Sequence, residues 1–186
     1  PNSEELWQWF TSRILSLAEI SRDQPALMGV FLDYEIYSRK KQGTAYGLSY
    51  DEKIMREFGQ ARDIDVPELP AQQRRPWLVD KGHHEDFSRF QIHSWRQRCR
   101  ALREAIDRFN PQFQFYVYPG GSTFIDEAVL AELATVDAPA VIADASTYGR
   151  PSVLLNQRDA LETNRNYIED LGERTRQSSR PLLCMG

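Results

Sequence analysis

The sequence predicts an α/β protein in which parallel strands alternate with helices. Two observations carry this. Short apolar, strand-like runs fall at about 27–35, 113–118, 140–145 and 182–185. Between and before them lie longer stretches with apolar residues at helical spacing. Strands alternating with helices pair in parallel through right-handed crossovers. Four such units make either a small open sheet covered on both faces or half of a (β/α)8 TIM barrel. The half barrel leaves two raw edges, to be covered by the rest of a longer polypeptide or by a second copy.

The elements follow in order. Asn2 with Glu5 resembles a capping box, and Leu6, Trp9, Phe10, Ile14, Leu17 and Ile20 continue a helix to about residue 22. Asp23-Gln24-Pro25 breaks it before the first strand. Residues 38–50 read as a loop rich in Ser, Gly, Lys and Tyr. Ser49, with Glu52 three residues on, caps a helix reaching about residue 60. The Pro-punctuated stretch 63–76 reads as irregular. Phe87, Phe90, Ile92, Trp95, Cys99, Leu102, Ile106 and Phe109 fit one face of a long helix over 84–109. After the second strand, Pro119-Gly120-Gly121-Ser122 turns the chain. Helices over 124–135 and 156–176 precede the third and fourth strands.

Composition bounds the function. At 186 residues, the chain is long enough for one buried core. Apolar residues make up 41% and charged residues 27%, which places it among globular rather than disordered chains. The net charge of −4 argues against a nucleic-acid groove, and basic clusters such as Arg39-Lys40-Lys41 read as solvated faces. No apolar run approaches the roughly 18–20 residues of a membrane span. Cys99 and Cys184 have no metal spacing and read as free or buried thiols. His84 and His93 are nine residues apart, not the four of a helical metal pair. Pro119-Gly120-Gly121-Ser122 lacks a nucleotide-binding pattern. The chain begins at Pro1 without Met and stops at Gly186 just after a strand, as a piece of a longer polypeptide would.

The informative stretch is Met28-Gly-Val-Phe-Leu-Asp-Tyr-Glu35. In a strand, Phe31, Asp33 and Glu35 share one face and Val30, Leu32 and Tyr34 the other. Buried carboxylates are costly unless paired, hydrogen-bonded or protonated. Two of them closing an apolar strand point to a wet site at its C-terminal end, where parallel α/β folds place their chemistry. Their Cα atoms are about 6–7 Å apart, so like charge raises one pKa and keeps a general acid protonated. Asp144, Tyr116, Tyr118, Tyr148 and Arg150 follow or end the other strands. Acids with tyrosines suit carbohydrate chemistry, with one acid for the leaving oxygen and a second for the cationic centre. The same residues also have plain roles: D-x-E can cap a helix or pair with Arg, Asp144 can cap loop amides, and the tyrosines can pack.

Gly29-Val30-Phe31-Leu32-Asp33-Tyr34-Glu35 resembles the strand-four signature of family 18 glycoside hydrolases, the chitinases. The resemblance implies Glu35 as general acid and Asp33 as the partner that orients the substrate's N-acetyl group. That family carries further acids on the strand, where this chain has Met28 and Phe31. Leu48-Ser49-Tyr50-Asp51-Glu52 through Phe58, then Pro76-Trp77 and Phe90-Gln91, resembles the helical excursion after strand four of family 42 β-galactosidase-like barrels.

Together these imply a single, partial TIM-barrel glycoside-hydrolase-like domain over 1–186. It would comprise strands four to seven, with a helical insertion at about 38–83. Asp144 would be a second acid, and Tyr37, Tyr118, Tyr148 and Arg150 would contact a carbohydrate substrate, with no cofactor or metal. The alternatives are a carbohydrate- or partner-binding scaffold without catalysis, and an independent flavodoxin-like α/β domain.

Overall fold

The computed structural model describes residues 3–32, 48–117, 125–143 and 157–185. The described chain is an α/β fold with a four-stranded, all-parallel sheet and six α-helices. The strands are β1 (Gly29–Leu32), β2 (Gln114–Val117), β3 (Ala140–Ala143) and β4 (Leu182–Met185), and they lie in chain order, β1-β2-β3-β4. The helices are α1 (Glu4–Asp23), α2 (Glu52–Arg62), α3 (Ala71–Asp80), α4 (His84–Asp107), α5 (Ala131–Leu133) and α6 (Gln157–Gln177). A π-helical turn, Ile125–Leu130, runs directly into α5.

Register sorts the strand residues onto two faces. Val30 pairs with Phe115, and Leu32 with Val117, which pairs in turn with Ile142. These residues, with Ala140 and Leu182, join the main core with Trp7, Ile14 and Ala18 of α1, Trp95, Cys99, Leu102 and Ile106 of α4, Leu133 of α5 and Leu171 of α6. The described helices that pack on the sheet therefore all lie on one face. The opposite face carries a continuous apolar row, Phe31–Tyr116–Val141–Leu183, each member in register with the next. Phe31 and Leu183 are each 47% exposed. A small open sheet covered on both faces, one of the two expected architectures, is not what the described residues form.

α1 starts one residue later than the expected capping box. Ser3 is the N-cap, its Oγ accepting from the Leu6 amide at 3.3 Å, with Glu4 and Glu5 favourably placed in the first turn. The helical apolar set divides. Ile14 is buried, whereas Leu6, Trp9, Leu17 and Ile20 are exposed and Trp7, Ala18 and Ser21 face the core. Two overlapping periodicities share this helix, and only packing distinguishes them. Trp7 meets Trp95 edge-on at 4.9 Å, beneath the Arg98 guanidinium, which also bonds Glu4.

α4 organises the rest. Its buried line Phe87, Gln91, Trp95, Cys99, Leu102 and Ile106 follows helical spacing. Twenty-four residues span about 36 Å, against about 13 Å for a four-residue strand. Its C-terminal half covers the sheet. Its N-terminal half projects past the strands' C-terminal ends and carries a second core of Tyr50, Ile54, Met55, Phe58, Leu78 and Phe87. The helical insertion is thus a satellite layer built on α4.

Of the expected irregular stretch over 63–76, residues 63–70 are irregular, but α3 takes up 71–76. Pro76 lies inside it and removes one backbone donor, but Leu78 is fully buried in the second core and offsets the loss. Gly82, at φ +71°, closes the helix while the His83 amide returns to the Leu78 carbonyl at 2.8 Å. α2 is capped by Asp51, not Ser49. Asp51 Oδ1 accepts from the Ile54 amide at 2.9 Å, and the Ser49 hydroxyl donates to Oδ2 at 2.6 Å.

At the other end of the sheet, Arg103 is buried and ties α4 to the start of β2. It donates to the Phe113 carbonyl at 2.7 Å and Asp107 at 2.8 Å, over the Phe115 ring. On the outer side of α4, Arg96 and Arg100 converge on Glu132 at 2.6 and 2.9 Å. The Arg100 hydrogen bond leads in holding that carboxyl below its usual range, and Arg96 adds to it.

Gly29 is required by contact. A Cβ there would meet the Gln114 carbonyl oxygen at 2.0 Å, a backbone atom that cannot step aside. Gly29→Ala is therefore expected to cost at least ~1–3 kcal/mol, read as a lower urea midpoint at unchanged slope.

Candidate functional site

The parallel register sets the strands' C-terminal ends side by side at Leu32, Val117, Ala143 and Met185. The acids and tyrosines expected to act there follow these ends in sequence. Asp33, Glu35, Tyr37, Tyr118, Asp144, Tyr148 and Arg150 all lie outside the described residues. The structure aligns the strands that lead to them and describes none of their side chains. Tyr116 is described. It is half-buried on the face away from the helices, its hydroxyl donating to Gln114 Oε1 at 3.3 Å.

Beyond the sheet end, the described polar residues form a clamp on the segment 48–50, which leads into α2. The Ser49 amide donates to Gln91 Oε1 at 2.9 Å. Gln91 is 1% exposed, and its Nε2 has no hydrogen-bond acceptor among the described residues. The Tyr50 carbonyl accepts from Arg74 Nη1 at 2.9 Å, while Arg74 Nε reaches the Leu69 carbonyl at 3.0 Å. The Tyr50 ring stacks on Phe87, and its hydroxyl lies 2.8 Å from His84 Nε2.

Electrostatics fix the roles in this clamp. Burial raises the Tyr50 hydroxyl pKa, with the Arg75 charge and hydrogen bond pulling the other way. Burial, then the Arg75 charge, lowers that of His84. A tyrosine hydroxyl has one proton. It shares one hydrogen bond with His84 Nε2, whose direction follows the imidazole tautomer. This array holds the backbone of Ser49 and Tyr50 in place.

Burial, with Glu132 adding, pushes the Cys99 thiol up to about 12, so it carries no thiolate near neutrality. Among the described residues no three His, Cys, Asp or Glu side chains gather as metal ligands, and no helix is long and apolar enough to cross a membrane. A groove of about 910 Å³ runs between α2 and the extended segment 63–70 and mixes Glu52, Asp63, Asp65 and Glu68 with Arg56 and Arg74. Sequence reasoning gave Gln91, His84 and Arg103 no part in holding the segment 48–50 or the sheet. The available signal was a polar residue on the apolar line of α4: Gln91 stands four residues from both Phe87 and Trp95.

Compared with family models, curated proteins and solved structures, the chain matches none.

The clamp gives a pH dependence. His84 is lowered in the fold, so the unfolded chain binds its proton first, and stability rises with pH across that interval. The contribution is full above the ordinary value near 6.5 and is lost as pH falls from there through the folded value. Urea midpoints of His84→Gln are expected to lack this acid-side loss, seen as a smaller drop than wild type between neutral and mildly acidic pH.

Proposed function

We propose that the chain is a carbohydrate-active protein and that its chemistry is glycoside hydrolysis at the C-terminal end of a barrel-type sheet. The supporting observation is the winding: four consecutive parallel strands in chain order, with the packed helices on one face. Barrels wind this way. Doubly wound sheets reverse their strand order and cover both faces. On this reading the strands are four to seven of a (β/α)8 barrel, and their aligned ends open onto its catalytic rim.

The sequence after those ends supplies the chemistry. Glu35 is the general acid that protonates the glycosidic oxygen. Asp33, two residues before it, is the electrostatic partner that keeps the Glu35 proton on near neutrality and orients the substrate. Asp144 serves as the second acid from the third strand. Tyr37, Tyr118 and Tyr148 stack on or hydrogen-bond sugar rings, and Arg150 binds hydroxyls. None of these steps needs a cofactor.

The test is Glu35→Gln against a panel of aryl glycosides. Loss of about 10²–10⁴-fold in kcat with folding intact supports the assignment, and unchanged turnover removes Glu35 from the mechanism. A shift in Trp77 fluorescence with oligosaccharide, without turnover by the wild-type chain, makes the protein a carbohydrate-binding scaffold instead.

A further inference from the structure

Among the described residues, the buried apolar side chains fall into two clusters with no member in common. One is the core on the sheet. The other joins Tyr50, Ile54, Met55 and Phe58 to Leu78 of α3 and Phe87 of α4, and half-buried Leu48 packs against both. Two ties hold this second layer to the first turn of α4. Arg62 of α2 forks onto Asp86 at 2.7 and 3.2 Å, and the Tyr50 hydroxyl lies 2.8 Å from His84 Nε2. Between α2 and α1 there is an exposed Lys53–Glu4 pair at 3.9 Å, a kind of contact that adds little. A layer with its own core is the kind of contiguous unit that opens on its own.

We propose that residues 48–91 form one unit that opens while the sheet stays folded, and that the Tyr50–His84 contact is its acid-sensitive latch. The proposal does not rest on the glycosidase reading. The place of His84 disfavours a cation. It is the first residue of α4, at the positive end of the helix. Arg75 of α3 hydrogen-bonds the Tyr50 hydroxyl, and its charge acts on the imidazole. The neighbouring acids are committed elsewhere. Asp51 accepts from the Ile54 amide and the Ser49 hydroxyl, Glu85 pairs with Arg89, Asp86 with Arg62, and Asp80 with Lys81. Arg74 holds the Tyr50 and Leu69 carbonyls, and His83 packs on Phe58 and Trp77. Opening takes His84 away from Arg75 and into water. The open form therefore binds the proton more tightly, and acid favours opening.

Native-state hydrogen exchange of the 186-residue chain, corrected for the intrinsic rate at each pH, reads both parts. At neutral pH the slowest amides of α2, α3 and the first two turns of α4 are expected to share one opening constant. It exceeds that of β2 and of the C-terminal half of α4. As pH falls below the ordinary histidine value near 6.5, the constant rises by at most about tenfold per pH unit. His84→Gln keeps an uncharged side chain there and holds the constant level. Arg75→Gln keeps His84 and removes the opposing charge, so the rise shrinks. A single opening constant shared by the second layer and the sheet overturns the separate unit. A rise in both variants equal to that of the wild type overturns the latch.

Discussion

The structure depends on one constraint: each strand is laid down beside its predecessor, in the same direction, by a crossover on the same side. Parallel neighbours cannot be joined by a tight turn, so every connection must travel back along the sheet. Because the order is β1-β2-β3-β4 without reversal, crossovers of one hand deliver their helices to a single face. One face becomes a core of Leu32, Phe115, Val117 and Ile142 under Trp95, Leu102 and Ile106. The other keeps an apolar row with no described helix over it. Both the placement of the strand ends and the side of the sheet taken by the described helices descend from that winding.

α4 turns this constraint into two layers. Its length exceeds the strands' severalfold, so the same helix that seals the sheet also supports α2 and α3 beyond it. The two ends are secured differently. Near the C-terminus, buried Arg103 spends its charge on the Phe113 carbonyl and Asp107, an arrangement a shorter or uncharged side chain could not reproduce. Towards the N-terminus, Gln91 sits at the seam between the two cores and bonds the Ser49 amide, with its amide NH2 unpaired among the described residues. This side chain stands where the insertion joins the sheet unit.

Legibility varied with what each element depended on. The four strands were visible because short apolar runs between helical stretches have few other interpretations, and β4 was located to the residue. α4 was visible because a single strong period runs its whole length. α3 was hidden by Pro70 and Pro76, whose local cost is real; its helix survives because Leu78 finds a pocket among Phe58 and Phe87, a long-range fact. In α1 the more conspicuous apolar set is largely the exposed one, since Trp7, Ala18 and Ser21 read as less regular than Leu6, Trp9, Leu17 and Ile20. The acids of the D-x-E stretch were conspicuous in sequence, whereas the Tyr50–His84–Arg75 clamp was not: its members lie as far as 34 residues apart and meet only through α4.

By itself, the sequence determined the α/β class, the alternation of strand and helix, and parallel pairing, because these follow from local periodicity and the length of each connection. Only the tertiary structure decided that the packed helices share one face of the sheet, which flank of α1 is buried, and that Pro-rich residues form a helix. Those outcomes turn on which surfaces meet across distant parts of the chain, and burial between remote residues leaves no local pattern from which it can be read.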